Sequence, residues 1–166
     1  MRRINPNLIR AMPLLLALLC ITSAQAQYNF SYPLSRLHIT SPFGLRIHPL
    51  TKKRHYHNGV DFAARSDPVL SVLDGKVSRT GQHSAIGKFV RLRHGNVETI
   101  YGHLSRILVT QGHNVTAGQP IGISGATGRV TGEHLHFSVK FGDSYLDPLE
   151  FLRRLTKRSN KPLNTK

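Results

Sequence analysis

The apolar residues of this chain come in short runs rich in Val and Ile, cut at close intervals by Gly and Asn, and that pattern favours a domain of many strands and turns. Strands are expected over residues 68–72, 75–80, 89–93, 97–103, 107–110, 120–124 and 134–141. Asp74-Gly75 turns the chain between the first two, and His94-Gly95-Asn96 closes a hairpin. One helix is expected at the end. Asp147 would be its N-cap, Pro148 its first helical residue, and Glu150 would complete a capping-box-like arrangement. The expected fold is mostly β: a compact antiparallel sheet or barrel-like domain with a short C-terminal helix.

Two clusters interrupt this scaffold with chemistry: His57-Asn58-Gly59-Val60-Asp61 and His134-Leu135-His136. Imidazole nitrogen and carboxylate oxygen are the ligands of catalytic zinc, where three protein groups leave a fourth position for water. On a strand, residues two apart share a face. His134 and His136 therefore project side by side, about 6.6 Å apart at their bases, with Leu135 turned to the core. One can bind a metal while the other reaches the water. His57 and Asp61 would be roughly 13 Å apart on a straight strand. Asn58-Gly59 is a turn pair, so a bend at Gly59 is expected to bring them together. The helical alternative, His-Glu-x-x-His, lacks its glutamate here. His48 and His55 are competing ligands, read as pocket or surface residues. His38, His83, His94 and His113 are expected to be exposed.

The ends are read separately. Arg2, Arg3 and Arg10, the apolar run 11–20 and Ala24-Gln25-Ala26 make residues 1–26 a secretory signal peptide, with Gln27 as the mature start. The run is short of the about 20 residues a membrane span needs. Residues 27–37 read as an extended lead-in, 38–152 as the single domain, and 153–166 as a basic, disordered tail. The only cysteine, Cys20, lies in the leader, so the mature chain has no disulfide or thiol ligand. The chain has 23 Lys and Arg against 8 Asp and Glu; without the three leader arginines, 20 against 8 leaves a net charge of +12. Such a charge attracts anionic wall polymers or a membrane surface. No specific nucleic-acid partner is expected, and the domain is expected to be a monomer, exported to the periplasm or beyond the cell.

Several stretches, in order, carry a family resemblance. They are Ser41-Pro42-Phe43-Gly44-Leu45-Arg46-Ile47-His48-Pro49, His57 to Phe62, Val72-Leu73-Asp74-Gly75-Lys76-Val77, Tyr101-Gly102-His103-Leu104-Ser105, Ala117 to Gly122, and Gly125 to Phe137. Together they cover nearly all of residues 41–151, and the chain resembles the lysostaphin-like, or LytM-type, zinc metallopeptidases of the duplicated-hybrid-motif fold. The resemblance implies one Zn2+ per chain on His57, Asp61 and His136. It implies catalytic, non-ligand roles for His103 and His134, a groove walled by loops, and peptidoglycan as substrate. Arg46, Tyr101, Thr127 and Arg129 are the expected substrate contacts. For Arg46 a structural ion pair competes with that reading, and for the 127–131 loop, turn chemistry does. Glu133 replaces an uncharged residue common in relatives. On a strand it would point away from the histidine pair.

The expected activity is zinc-assisted amide hydrolysis, with histidine in place of the zincin glutamate as general base. The alternatives are a non-catalytic wall-binding or hydrolase-activating module, and a polyanion binder whose affinity falls with salt.

Overall fold

The computed structural model describes residues 29–47 and 54–159. The expected leader, His48 and the last residues of the expected tail lie outside that range.

The strands are β1 (Ile39–Ser41), β2 (Gly44–Ile47), β3 (Arg54–His57), β4 (Val60–Ala63), β5 (Pro68–Leu70), β6 (Gly75–His83), β7 (Gly87–His94), β8 (Val97–Leu104), β9 (Arg106–Ile107), β10 (Asn114–Val115), β11 (Pro120–Ile123), β12 (His134–Phe141) and β13 (Ser144–Leu146). Among the described residues one helix, α1 (Pro148–Ser159), follows. The large antiparallel sheet runs β1-β4-β12-β8-β7-β6-β10, with β13 paired to β12. Among the described residues it is open, with β1 and β10 at its edges, and does not close into a barrel. A smaller sheet, β5-β11-β9, and the β2-β3 hairpin stand apart from it.

Alternation along the strands gives the large sheet two unlike faces. Leu135, Phe137 and Val139 of β12, Val60 and Phe62 of β4, Tyr101 of β8 and Val90 and Leu92 of β7 turn inward to one apolar core. Val69 and Ile121 of the smaller sheet cover that face. Each fully buried Val, Leu or Phe contributes about 1.5–3 kcal/mol relative to exposure. The alternate residues, among them Asp61, His134, His136 and Ser138, face a groove on the other side.

Both ends of the domain reach further than the sequence suggested. Residues 29–37, expected as an extended lead-in, pack onto the domain: Phe30, Tyr32, Leu34 and Leu37 are buried, and the Ser31 N–H donates to Val72 O at 3.0 Å. The helix takes in Arg153 to Ser159, which the tail reading had left disordered. Leu152 and Thr156 bury against the body, and Thr156 Oγ1 bonds the Tyr32 hydroxyl at 3.1 Å. Asp147 caps α1 as expected, accepting from the Leu149 N–H at 2.8 Å. Glu150 pairs forward with Arg154 at 2.9 Å. Strands β1 to β4 were not expected, nor were the short β10 and β13. The first four are three or four residues long, and β1 to β3 are largely exposed, so they carry no apolar periodicity.

Candidate metal centre

Strand β3 ends at His57, the chain bends at Asn58-Gly59, and β4 begins at Val60. The bend brings His57 Nε2 to 3.2 Å from Asp61 Oδ1, as the turn pair required. Gly59 is needed for space: a Cβ there would lie 2.6 Å from His136 Cε1 and 2.6 Å from Ser138 Oγ. Strand β12 pairs with β4 in a register that sets His136 opposite Asp61. His136 Nδ1 then stands 2.8 Å from Asp61 Oδ1 and 3.1 Å from His57 Nε2.

These three atoms suit a zinc ion. A tetrahedral site with bonds of about 2.0–2.1 Å spaces its ligand atoms about 3.3 Å apart, close to the 2.8–3.2 Å here. The His57 Nδ1–H donates to the Pro42 carbonyl at 2.9 Å, which leaves Nε2 with a lone pair. Asp61 Oδ1 is also an acceptor, so two lone pairs meet without a proton between them, a contact that a cation relieves. Ser138 Oγ, 2.8 Å from His136 Nε2, can take that N–H and free Nδ1 to ligate. Burial opposes ionisation of Asp61, yet the adjoining His136 and His57 rings hold its carboxyl well below the usual range. Burial lowers the pKa of His136 and outweighs the opposing pull of Asp61. An ionised Asp61 beside a His136 that burial keeps from charging is the state a metal needs.

Two further histidines flank the cluster. The His103 Nδ1–H donates to Thr127 O at 2.8 Å, and the His134 Nδ1–H donates to Gly132 O at 2.9 Å. Each therefore offers Nε2, and their rings lie 4.7 Å apart. His134 Nε2 is 3.7 Å from Asp61 Oδ1. His103 has φ of 60°, a left-handed conformation that non-glycine residues rarely adopt and that concentrates at functional sites. Its N–H is anchored to Ile86 O at 2.8 Å. Burial chiefly drives the His103 pKa down to about 4, so it is neutral near pH 7.

A family model described as Peptidase family M23 matches residues 55–148, which hold both ligand clusters and His103. The chain belongs to peptidase family M23. Among its M23 relatives is the peptidoglycan DD-endopeptidase ShyA of Vibrio cholerae, 48% identical over 112 residues, covering 65% of this chain and 26% of the relative. A DD-carboxypeptidase/endopeptidase, Mpg, of Neisseria meningitidis is 41% identical over 119 residues, covering 70% of this chain and 27% of the relative. The chain thus spans about a quarter of the length of these curated relatives. A crystal structure of a zinc-containing peptidase from Vibrio cholerae matches with a TM-score of 0.67 and 42% identity, covering 72% of this chain and 39% of that one.

In this M23 domain the metal-site residues lie in a groove of about 1140 Å³. The β2-β3 hairpin walls one side, where Arg46 reaches to 3.9 Å from Asp61 Oδ2. Arg129 lines the groove from the 125–133 loop. Tyr101 does not: its side chain is 0% exposed, and its hydroxyl accepts the Val72 N–H at 3.0 Å. It belongs to the core because β8 alternation turns it away from the groove. Thr127 is also spoken for. Its hydroxyl accepts the Lys88 N–H at 2.9 Å and donates to Leu104 O at 2.7 Å, while its carbonyl orients His103. Glu133 bonds the Ser66 N–H, away from the metal site. His55 lines the groove outside the ligand set. His38, His83 and His113 are exposed as expected. His94 is not: it is half-buried, donates from Nδ1 to Asp74 O at 2.8 Å, and has a pKa lowered by burial.

Sequence reasoning missed Ser138 and the Pro42 and Gly132 carbonyls. Ser138 had a signal, since it lies two residues past His136 on the same strand face. A backbone carbonyl has none.

Proposed function

We propose that this domain is an exported zinc endopeptidase that hydrolyses peptide bonds in peptidoglycan stem peptides or their cross-links, within the cell envelope. The observation that carries the reading is the convergence of His57 Nε2, Asp61 Oδ1 and His136 Nδ1 in a groove that also receives His103 and His134. The relatives named as peptidoglycan endopeptidases and as a zinc-containing peptidase support the same substrate and metal.

His57, Asp61 and His136 would hold a zinc ion, which when bound would supply the Lewis acidity that amide hydrolysis at neutral pH needs. The protein's own residues do the rest. His134 and His103, each with Nδ1–H given to a backbone carbonyl, present Nε2 lone pairs to the groove. One takes the proton that water loses as it attacks. Once protonated, that Nε2–H can donate to the developing oxyanion or to the leaving amine. Arg46 and Arg129, which both line the groove, suit the carboxylates of a stem peptide.

The test is digestion of purified peptidoglycan by the chain from Gln27 onward, with and without zinc, followed by mass spectrometry. Zinc-dependent release of cleaved stem peptides is the expected result. Folded, zinc-loaded protein that binds wall material without cutting it would replace this reading with that of a non-catalytic wall-binding module.

A further inference from the structure

Beyond the metal centre, the floor of the groove carries a feature that the hydrolytic chemistry does not use. Ser138, Ile100, Arg91 and Arg79 are successive cross-strand partners on β12, β8, β7 and β6. All four line the groove. The row begins beside His136 and ends on two arginines directly opposite each other. Like charges in that position destabilise a sheet.

A local irregularity puts the second arginine there. Val77 pairs with Leu92, but Arg79 pairs with Arg91, so β6 advances two residues where β7 advances one. The extra residue is a β-bulge at Ser78, whose hydroxyl donates to Arg91 O at 3.2 Å. Val77 is buried in the core. On a regular strand Arg79, two residues on, would face the core as well. The bulge turns it to the groove.

Neither guanidinium is fully satisfied by the protein. Among the described residues no carboxylate pairs with Arg79, which lies over the Phe89 ring at 5.9 Å. Arg91 Nη1 is 3.7 Å from Glu98 Oε2, but Glu98 stands closer to Arg93, at 3.1 Å. Arg91 Nε is buried with no hydrogen-bond partner.

We propose that Arg79 and Arg91 form a carboxylate subsite that reads an acidic side chain of the bound peptide. The inference rests on the reading of the groove as a peptide-cleaving site. Two strand spacings separate Ser138 from Arg91, about 10 Å. An extended peptide covers that distance in about three residues. The subsite therefore selects a carboxylate about three residues from the scissile bond. Paired guanidiniums suit it because arginine binds a carboxylate bidentately.

The test uses zinc-loaded full chain and two labelled peptides that lack a scissile bond, one with a side-chain carboxylate and one with a carboxamide in its place. Fluorescence anisotropy should show the acid bound about tenfold more tightly than the amide. Arg79→Gln should erase that preference, bringing the acid peptide down to the affinity of the amide. Arg79 is exposed, so the variant keeps its core; Arg91→Gln should act alike. Equal affinity for the two peptides, or a preference that survives Arg79→Gln, overturns the assignment. Displacement of the acid peptide by polyphosphate at lower concentration than by unlabelled peptide overturns it too, in favour of an anionic polymer. Wall digestion by the same preparation is scored separately. Cleavage without the preference removes only the subsite, and preference without cleavage removes only the peptidase reading.

Discussion

Asp61 and His136 are cross-strand partners on β4 and β12, and the register of that ladder holds Oδ1 and Nδ1 2.8 Å apart. Two residues 75 positions apart in the chain thus become ligands of one site. Ser138, two residues further along β12 on the same face, lies 2.8 Å from His136 Nε2.

Ser138 is expected to fix the His136 tautomer. Ser138→Ala should lower zinc affinity by about 10–100-fold, the usual effect of removing a group that orients a metal ligand. Competition with a chromophoric chelator measures it. Unchanged affinity would show that the buried hydroxyl serves packing alone.

Gly59 leaves no room for a side chain. Gly59→Ala should displace His136 or Ser138, destabilise the fold by about 1–3 kcal/mol, and reduce bound zinc. Urea denaturation and metal analysis report the two effects, and a variant with normal stability and full zinc would contradict the close approach.

His103 is outside the ligand set. His103→Ala should keep about one zinc per chain while kcat falls about 10²–10⁴-fold, the range for loss of a general acid or base. Loss of zinc in parallel with activity would instead make it part of the metal site.

Tyr101→Phe removes the acceptor of the buried Val72 N–H. The cost in stability should be about 1–3 kcal/mol, with KM unchanged at a temperature where the variant is folded. A raised KM in stable protein would restore Tyr101 to the substrate site.

The buried imidazoles also make stability depend on pH. His103, His136 and His94 have folded-state pKa values below their ordinary 6.5, with His103 at about 4. Between those values the unfolded chain binds more protons than the folded one, so stability rises with pH. The metal-free protein should be most stable above pH 6.5, and should lose stability as pH falls from there toward 4. A urea midpoint that stays level across that range would mean these groups charge without cost.

Much of this was legible before the fold was known. Alternation put His134 and His136 on one face with Leu135 in the core, and Gly59 marked the bend that joins His57 to Asp61. Period-two patterning and turn chemistry are local, so they can be read along the chain. Tyr101 was misread because its motif neighbours point into the groove, while the face a strand residue takes is settled by the sheet it joins.

What the sequence determined by itself was the two clusters of candidate donors and the strand-rich class, since both follow from residue identity and spacings of two to four. The choice of His136 over its neighbour rested on the family resemblance. Tertiary structure decided the rest. It chose the register that pairs His136 with Asp61, opened the sheet where a barrel was conceivable, and extended α1 through the Tyr32–Thr156 contact across 124 residues. The physical reason is that ladder register and burial depend on partners far along the chain, and no local pattern encodes which distant strand will supply them.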